Sequence, residues 1–180
     1  MQKDLAGGDS GVLLVQTGEE EGNMIKLIRD FASLFRAEIS LGEGFFVKRG
    51  NRCFLLNEEL RTTRMGDFFY AGSFLGEKRN REFMPGFELL RLIAEKRANK
   101  IAVDKKTEWL FICGRDIFRR GITEVIGSGK EGDHVLVLNR HGECLGFGKV
   151  VSDLDKKKSG VAVKNILDIG DFLRREKNVS

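Results

Sequence analysis

The sequence is poor in the residues that mark several protein classes. Its three cysteines, Cys53, Cys113 and Cys144, are far apart and form no CxxC pair. An odd, scattered set argues against a disulfide framework or a thiolate zinc site, and for a reducing compartment. There are two histidines. His134 falls in an apolar alternating stretch and His141 in a turn, and both read as structural. His141 and Cys144 are three apart, but no second pair completes a metal site. No apolar run approaches the ~18 residues of a membrane helix. Residues 1–10 lack the basic-then-apolar order of a secretory leader. No G-x-x-x-x-G-K-[ST] loop is present, and Gly127-Ser128-Gly129-Lys130 has neither the spacing nor the hydroxyl after the lysine. A G-x-S-x-G elbow and a Gly-rich strand-to-helix loop are also missing. No cofactor and no metal are therefore expected.

What is present fits one or two packed domains. The chain has 180 residues, 41% apolar and 32% charged, which is enough of each for a core and a wet surface. Its net charge of +4 is uneven. Residues 1–22 carry one base and five acids, a balance of −4, so the remainder carries 30 bases and 22 acids, a balance of +8. A basic body points to a polyanion such as nucleic acid, or simply to a lysine-rich wet surface.

Residues 1–15 read as a loose tail. Thr17-Gly18-Glu19-Glu20 has the spacing of a capping box, and Met24, Leu27, Ile28, Phe31, Leu34 and Phe35 follow at helical spacing, predicting a helix from about Gly18 to Phe35. Phe45–Val47 and Cys53–Leu56 flank a hairpin turn. A short helix is expected over 58–64, a strand from Asp67 to Leu75 and a basic loop from Gly76 to Glu82. Pro85 precedes a second helix that ends near Asn99. Beyond Asn99, short apolar runs alternate with glycine-rich turns: 101–103, 135–138, 144–151, 161–163 and 169–173. That density suggests a small β-barrel, and a domain boundary near 97–100.

Two basic clusters are the candidate site. Arg119 and Arg120 directly precede Gly121, with Arg115 upstream. Adjacent guanidiniums suit phosphate oxygens, and a glycine lets backbone approach a ligand closely. Arg174, Arg175 and Lys177 form the second cluster, near the end of the chain. Ile117 and Phe118 are expected to pack the barrel.

From Lys100 to Lys177 the chain resembles the PUA domain, the RNA-binding module named for pseudouridine synthases and archaeosine transglycosylases. The residues that carry the likeness are Lys100–Val103, Phe111-Ile112-Cys113-Gly114, Ile117–Ile122, Gly132-Asp133-His134-Val135, Leu145-Gly146-Phe147-Gly148 and Gly160–Val163. Over about 16–177 it is similar to the Nip-seven-type large-subunit ribosome-biogenesis factors. That likeness rests on Leu145–Gly148 followed by Asp168-Ile169-Gly170-Asp171-Phe172-Leu173-Arg174-Arg175-Glu176, and more loosely on Thr17–Glu21 and Ser73–Glu77.

The resemblance implies an α+β chain: a tail (1–15), an N-terminal α/β pre-PUA domain (16–98), then a C-terminal PUA domain (99–180), a small mixed β-barrel. It also implies a non-enzymatic protein that binds single-stranded or looped rRNA or pre-rRNA in ribosome biogenesis and rRNA processing. Ribosome-assembly proteins would be partners of the first domain, and the location cytoplasmic, or nuclear and nucleolar in a eukaryote. Carried onto this chain, RNA contacts fall on Arg115, Arg119, Arg120, Gly121, Arg174, Arg175 and Lys177, with Gly121 admitting the ribose-phosphate chain and Arg174 and Arg175 in or just beyond the last strand. Two rivals are a protein-interaction adaptor whose basic face is incidental and an RNA-modifying enzyme targeted by its PUA domain. The enzyme would need its catalytic groups in residues 1–98, which contain no histidine.

Overall fold

The computed structural model describes residues 18–40, 44–57, 59, 72–79, 82–156 and 158–176. The tail, Thr17, the helix expected over 58–64 (except Glu59), the first part of the strand expected over 67–75 and Lys177 lie outside the described residues.

Helix α1 (Gly18–Ser33) buries Met24, Ile28, Phe31 and Ala32 along one stripe, and Phe35 continues it in the turn that follows. Strands β1 (Gly44–Arg49) and β2 (Arg52–Asn57) pair antiparallel across Gly50-Asn51, and Gly50 takes φ +59° as a two-residue hairpin turn requires. The next hairpin corrects the sequence reading. The stretch expected as a basic loop over 76–82 is strand at both described ends: β3 (Ser73–Arg79) takes in 76–79 and pairs with β4 (Glu82–Pro85). Leu75 and Gly76 are buried and Lys78 and Arg79 are exposed, while Glu77 meets Arg52 at 3.4 Å and also pairs with Arg79. The charged run is tolerated because Glu77 is paired and the two cations reach solvent at the end of the strand. These four strands form one antiparallel sheet in chain order.

Helix α2 (Phe87–Ala94) buries Leu89, Leu90 and Ile93. It stops five residues before Asn99, earlier than its periodicity suggests, because the chain turns to place Asn99 between the two halves. The Asn99 amide donates to the Phe35 carbonyl (2.8 Å), its carbonyl accepts from Leu136 (3.0 Å) and its Oδ1 accepts from the Ser128 amide (2.9 Å).

The second sheet has the order β6-β10-β9-β8-β5-β7. Its strands are β5 (Lys100–Val103), β6 (Ile117–Phe118), β7 (Ile122–Ile126), β8 (His134–Leu138), β9 (Cys144–Val150) and β10 (Val161–Asp168). β5 and β8 are parallel and the other pairs antiparallel, so the sheet is mixed and curls into a half-barrel. Helix α3 (Lys105–Ile112) follows β5. The stretch 169–173, expected as a strand, is instead the start of helix α4 (Ile169–Glu176). Asp168 caps it: its Oδ1 accepts the Asp171 amide at 2.9 Å, which turns the chain out of the sheet.

The run Val135–Leu138 is apolar throughout because β8 is buried on both faces. Val135 and Val137 point into the barrel with Ile101, Phe111, Ile117 and Val163. Leu136 and Leu138 point the other way and join Cys144, Phe147 and Leu167 in a cluster with Phe31, Phe35, Leu90 and Ile93. The Phe147 ring centroid lies 5.6 Å from that of Phe31 and 5.5 Å from that of Phe35, both edge-on. One apolar cluster thus spans both halves of the chain.

Candidate nucleic-acid interface

The face opposite that cluster is organised by α3. Asp104 caps the helix by accepting the Thr107 amide at 2.7 Å. That bond, first among the causes, holds the Asp104 carboxyl below its ordinary value. Thr107 and Phe111 are buried, and Lys105, Lys106, Trp109 and Leu110 are exposed. The helix ends in a Schellman turn. Gly114, at φ +82°, donates to Phe111 (2.8 Å) and Arg115 donates to Leu110 (3.0 Å). This fixes the backbone of the exposed Arg115.

On one flank of α3 lies a groove of about 320 Å³ between the helix and the 3-10 turn Arg119–Gly121. Lys106, Leu110, Phe118 and Arg120 line it, with Asp104 and Asp116. Both carboxylates already accept backbone amides, Asp104 from Thr107 and Asp116 from Asn165 at 2.9 Å. The cations Lys106 and Arg120 remain exposed. Arg120 stands over the Phe118 ring, 5.9 Å from its centroid. Ile117 packs the barrel as expected. Phe118 does not: it is 47% exposed, because neighbouring strand residues point to opposite faces.

The expected site residues divide by what their side chains touch. Arg115 and Arg120 are exposed. Arg119 is half-buried and donates to two backbone carbonyls, Nε to Leu154 (2.9 Å) and Nη1 to Ile122 (3.3 Å), which pins the 3-10 turn. Gly121 makes room for protein: a Cβ there would stand 2.0 Å from Thr107 Oγ1. Arg174 lies in α4 rather than a strand. Its Nη2 reaches both carboxylate oxygens of buried Asp168 at 3.1 Å, and its Nη1 donates to the Ile112 carbonyl at 2.9 Å. A Cβ at Gly170 would stand 2.2 Å from that same carbonyl, so α4 lies close against the end of α3. Arg175 is on α4, with its side chain outside the described residues. The two clusters therefore both border α3, at Thr107 and at Ile112, five residues or roughly 7–8 Å apart along its axis.

Sequence reasoning missed Lys105, Lys106 and Trp109. The signal was the pair of lysines in the first turn of a short helix whose apolar stripe leaves Trp109 outside. His134 is half-buried beside Phe35 and Phe147, and burial, then Lys149, holds its imidazole below its ordinary value. Cys53 and Cys144 are buried and Cys113 is exposed, all as free thiols. Among the described residues no group of three or more His, Cys, Asp or Glu side chains is placed to hold a metal, and no helix is long and apolar enough to cross a membrane.

A curled mixed sheet with one helix after its first strand and a capping helix at its end is the architecture of a PUA domain. Residues 99–177 match the family described as the UPF0113 PUA domain, and this segment has the PUA fold. The UPF0113 protein of Archaeoglobus fulgidus is 33% identical over 114 residues, a match covering 60% of this chain and 63% of that protein, just under two thirds of its length. A conserved PUA domain protein from Thermoplasma acidophilum has a similar structure, with a TM-score of 0.58 at 22% identity, over 86% of this chain and 94% of that one. A PUA domain structure from Aeropyrum pernix gives a TM-score of 0.57 at 15% identity, over 88% and 86%. Both likenesses cover more than the PUA segment, so the fold of the first half recurs with it.

Proposed function

We propose that this protein is a non-enzymatic RNA-binding factor of large-subunit ribosome biogenesis and pre-rRNA processing. Single-stranded or looped RNA is held on the α3 face of the PUA domain. The observation that carries the reading is the groove between α3 and the 3-10 turn, where the acids are occupied by backbone amides and Lys106 and Arg120 are left to solvent. Arg115, fixed at the end of the same helix, extends the cationic line. Phosphates neutralised there release counterions, which supplies sequence-independent affinity. The exposed Phe118 ring beside Arg120 offers a stacking surface for an unpaired base. Arg119, Arg174 and Gly121 act on RNA indirectly, by holding the 3-10 turn and α4 against α3.

The first half of the chain would carry the protein partners of an assembling ribosome, with no cofactor, in the cytoplasm or, in a eukaryote, the nucleus. Crosslinking the protein in cell extract and sequencing the attached RNA tests this reading. Enrichment of large-subunit rRNA precursors is the expected result. RNA recovery no higher than from a K106A/R115A/R120A variant would favour a protein adaptor instead.

A further inference from the structure

The opposite flank of α3 carries a second groove, of about 220 Å³, which none of the expected site residues lines. Its walls are Lys105, Glu108, Trp109 and Ile112 from α3, and Arg140 and His141 from the β8–β9 turn. Trp109 is the chain's only tryptophan and is 68% exposed. Among the described residues none covers most of this indole, whose flat ring offers a large amphipathic contact surface at the wall of the groove.

The groove's other wall is held in place. Buried Asn139 accepts the amides of His141 (2.9 Å) and Glu143 (3.0 Å) on Oδ1 and donates through Nδ2 to Glu143 Oε2 (2.6 Å). Gly142, at φ +79°, donates to the Asn139 carbonyl at 3.0 Å and closes the turn. Arg140 and His141 are therefore presented by an ordered turn. Arg140 Nε donates to His141 Nε2 at 3.0 Å, which ties the two side chains together on that wall.

We propose that this groove is a nucleobase site, in which one unpaired base of a bound RNA strand stacks on the Trp109 indole while Lys105 and Arg140 hold its flanking phosphates. The proposal rests on the RNA-binding reading above and adds a second contact face to it. The chemistry favours a nucleotide over a protein surface. Among the described residues Lys105, Arg140 and His141 are half of the lining and Glu108 is its only acid. Tryptophan and arginine are common to protein and nucleic-acid interfaces, but lysine is depleted from the cores of protein interfaces, so Lys105 beside the indole is the discriminating feature. The volume is below the ~300–1,000 Å³ of sites that enclose a drug-sized ligand, which suits one flat ring lying in an open cleft. With Lys106, Phe118 and Arg120 on the other flank, α3 becomes a ridge that a strand can straddle.

The single tryptophan makes the test direct. Full-length protein is titrated with a 12-nucleotide single-stranded RNA of mixed sequence, following indole emission and, in parallel, the anisotropy of the end-labelled RNA. Inorganic polyphosphate serves as a base-free polyanion. RNA should quench the indole to saturation over the same concentrations that raise the anisotropy, and polyphosphate should not. W109A should weaken RNA binding by roughly 5–150-fold, the usual range for losing one stacked base, and W109F by less. Unchanged thermal unfolding of both variants confirms that the fold is kept. Anisotropy that rises normally with no quenching, and with W109A equal to the parent, would overturn the base site while leaving RNA binding elsewhere. No anisotropy change at all would overturn the RNA reading itself. A blue shift of emission on concentrating the protein without RNA would mean that a second copy covers the indole, and would also overturn the proposal.

Discussion

Arg174 offers the sharpest contrast between what the sequence suggests and what the structure places. As an RNA contact its loss would leave stability alone. As a tie between α3 and α4 its loss should be felt by the fold. Arg174→Ala removes two Nη2 contacts of 3.1 Å to a carboxylate that is itself 3% exposed, and one 2.9 Å bond to the Ile112 carbonyl. Breaking a fully buried ion pair costs about 3–5 kcal/mol. Arg174 is 49% exposed, so water re-solvates part of the site and the cost falls toward that of a charged hydrogen bond, about 1.5–3 kcal/mol. Asp168 also keeps the Asn165 Nδ2 and Asp171 amide donors. A destabilisation of about 2 kcal/mol follows, which for a chain of this size lowers Tm by about 4–8 °C. Differential scanning fluorimetry or calorimetry reads it. Arg174→Lys should recover only part, because an ammonium cannot reach two carboxylate oxygens and a carbonyl with one planar fork. Arg120→Ala, on an exposed side chain, should change stability by no more than about 0.5 kcal/mol. An R174A protein with parental Tm and sharply reduced RNA affinity would refute the structural role and return Arg174 to the RNA-binding set.

Other expectations rest on separate features. Gly121→Ala should cost about 1–3 kcal/mol by overpacking against Thr107, and adding Thr107→Ala should restore part of it; a tolerated G121A that only weakens RNA binding would mean the glycine faces ligand. With a thiol reagent at neutral pH, Cys113 should react in the folded protein while Cys53 and Cys144, pushed by burial up to about 12 and about 11, react only on unfolding. More than one fast-reacting thiol per chain would contradict that burial. His134 is held below its ordinary 6.5 in the folded chain, so the unfolded chain binds its proton first. The stability this residue contributes is complete above pH 6.5 and is lost as the pH falls from there toward the folded value. Tm should therefore drop as the pH falls below about 6.5 and His134→Gln should flatten that drop; an identical slope in the variant would remove His134 as the cause.

The legibility of the sequence follows the range of its signals. Local ones are readable: the stripe of α1, the Gly50-Asn51 turn and the density of short strands after Asn99. The apolar run Val135–Leu138 reads as a strand, but its double-sided burial depends on a first half that no local pattern reveals. Residues 169–173 mislead because Ile169, Phe172 and Leu173 give an apolar texture that strand and helix share; the cap-like Asp168-Ile169-Gly170-Asp171 spacing is the cue that separates them. Charge misleads in a consistent way. Arginine clusters are legible as clusters, but whether each guanidinium faces solvent or a carbonyl depends on tertiary partners: Leu154 lies 35 residues from Arg119, and Ile112 lies 62 from Arg174. Lys106 and Trp109 escape a sequence reading because their importance comes from the grooves flanking α3, and those grooves exist only once the 3-10 turn and the β8–β9 turn are folded against it.

On the proposed function, RNA is held by the cations along α3. The most direct measurement is the salt dependence of affinity for a 12-nucleotide single-stranded RNA, comparing the parent protein with K106A/R115A/R120A. The variant should fold, bind more weakly across RNA sequences, and show a flatter slope of log affinity against log salt. Each phosphate no longer neutralised should reduce the magnitude of that slope by about 0.7, or about 2 for the three cations together. A folded variant with the parent's affinity and slope would contradict it.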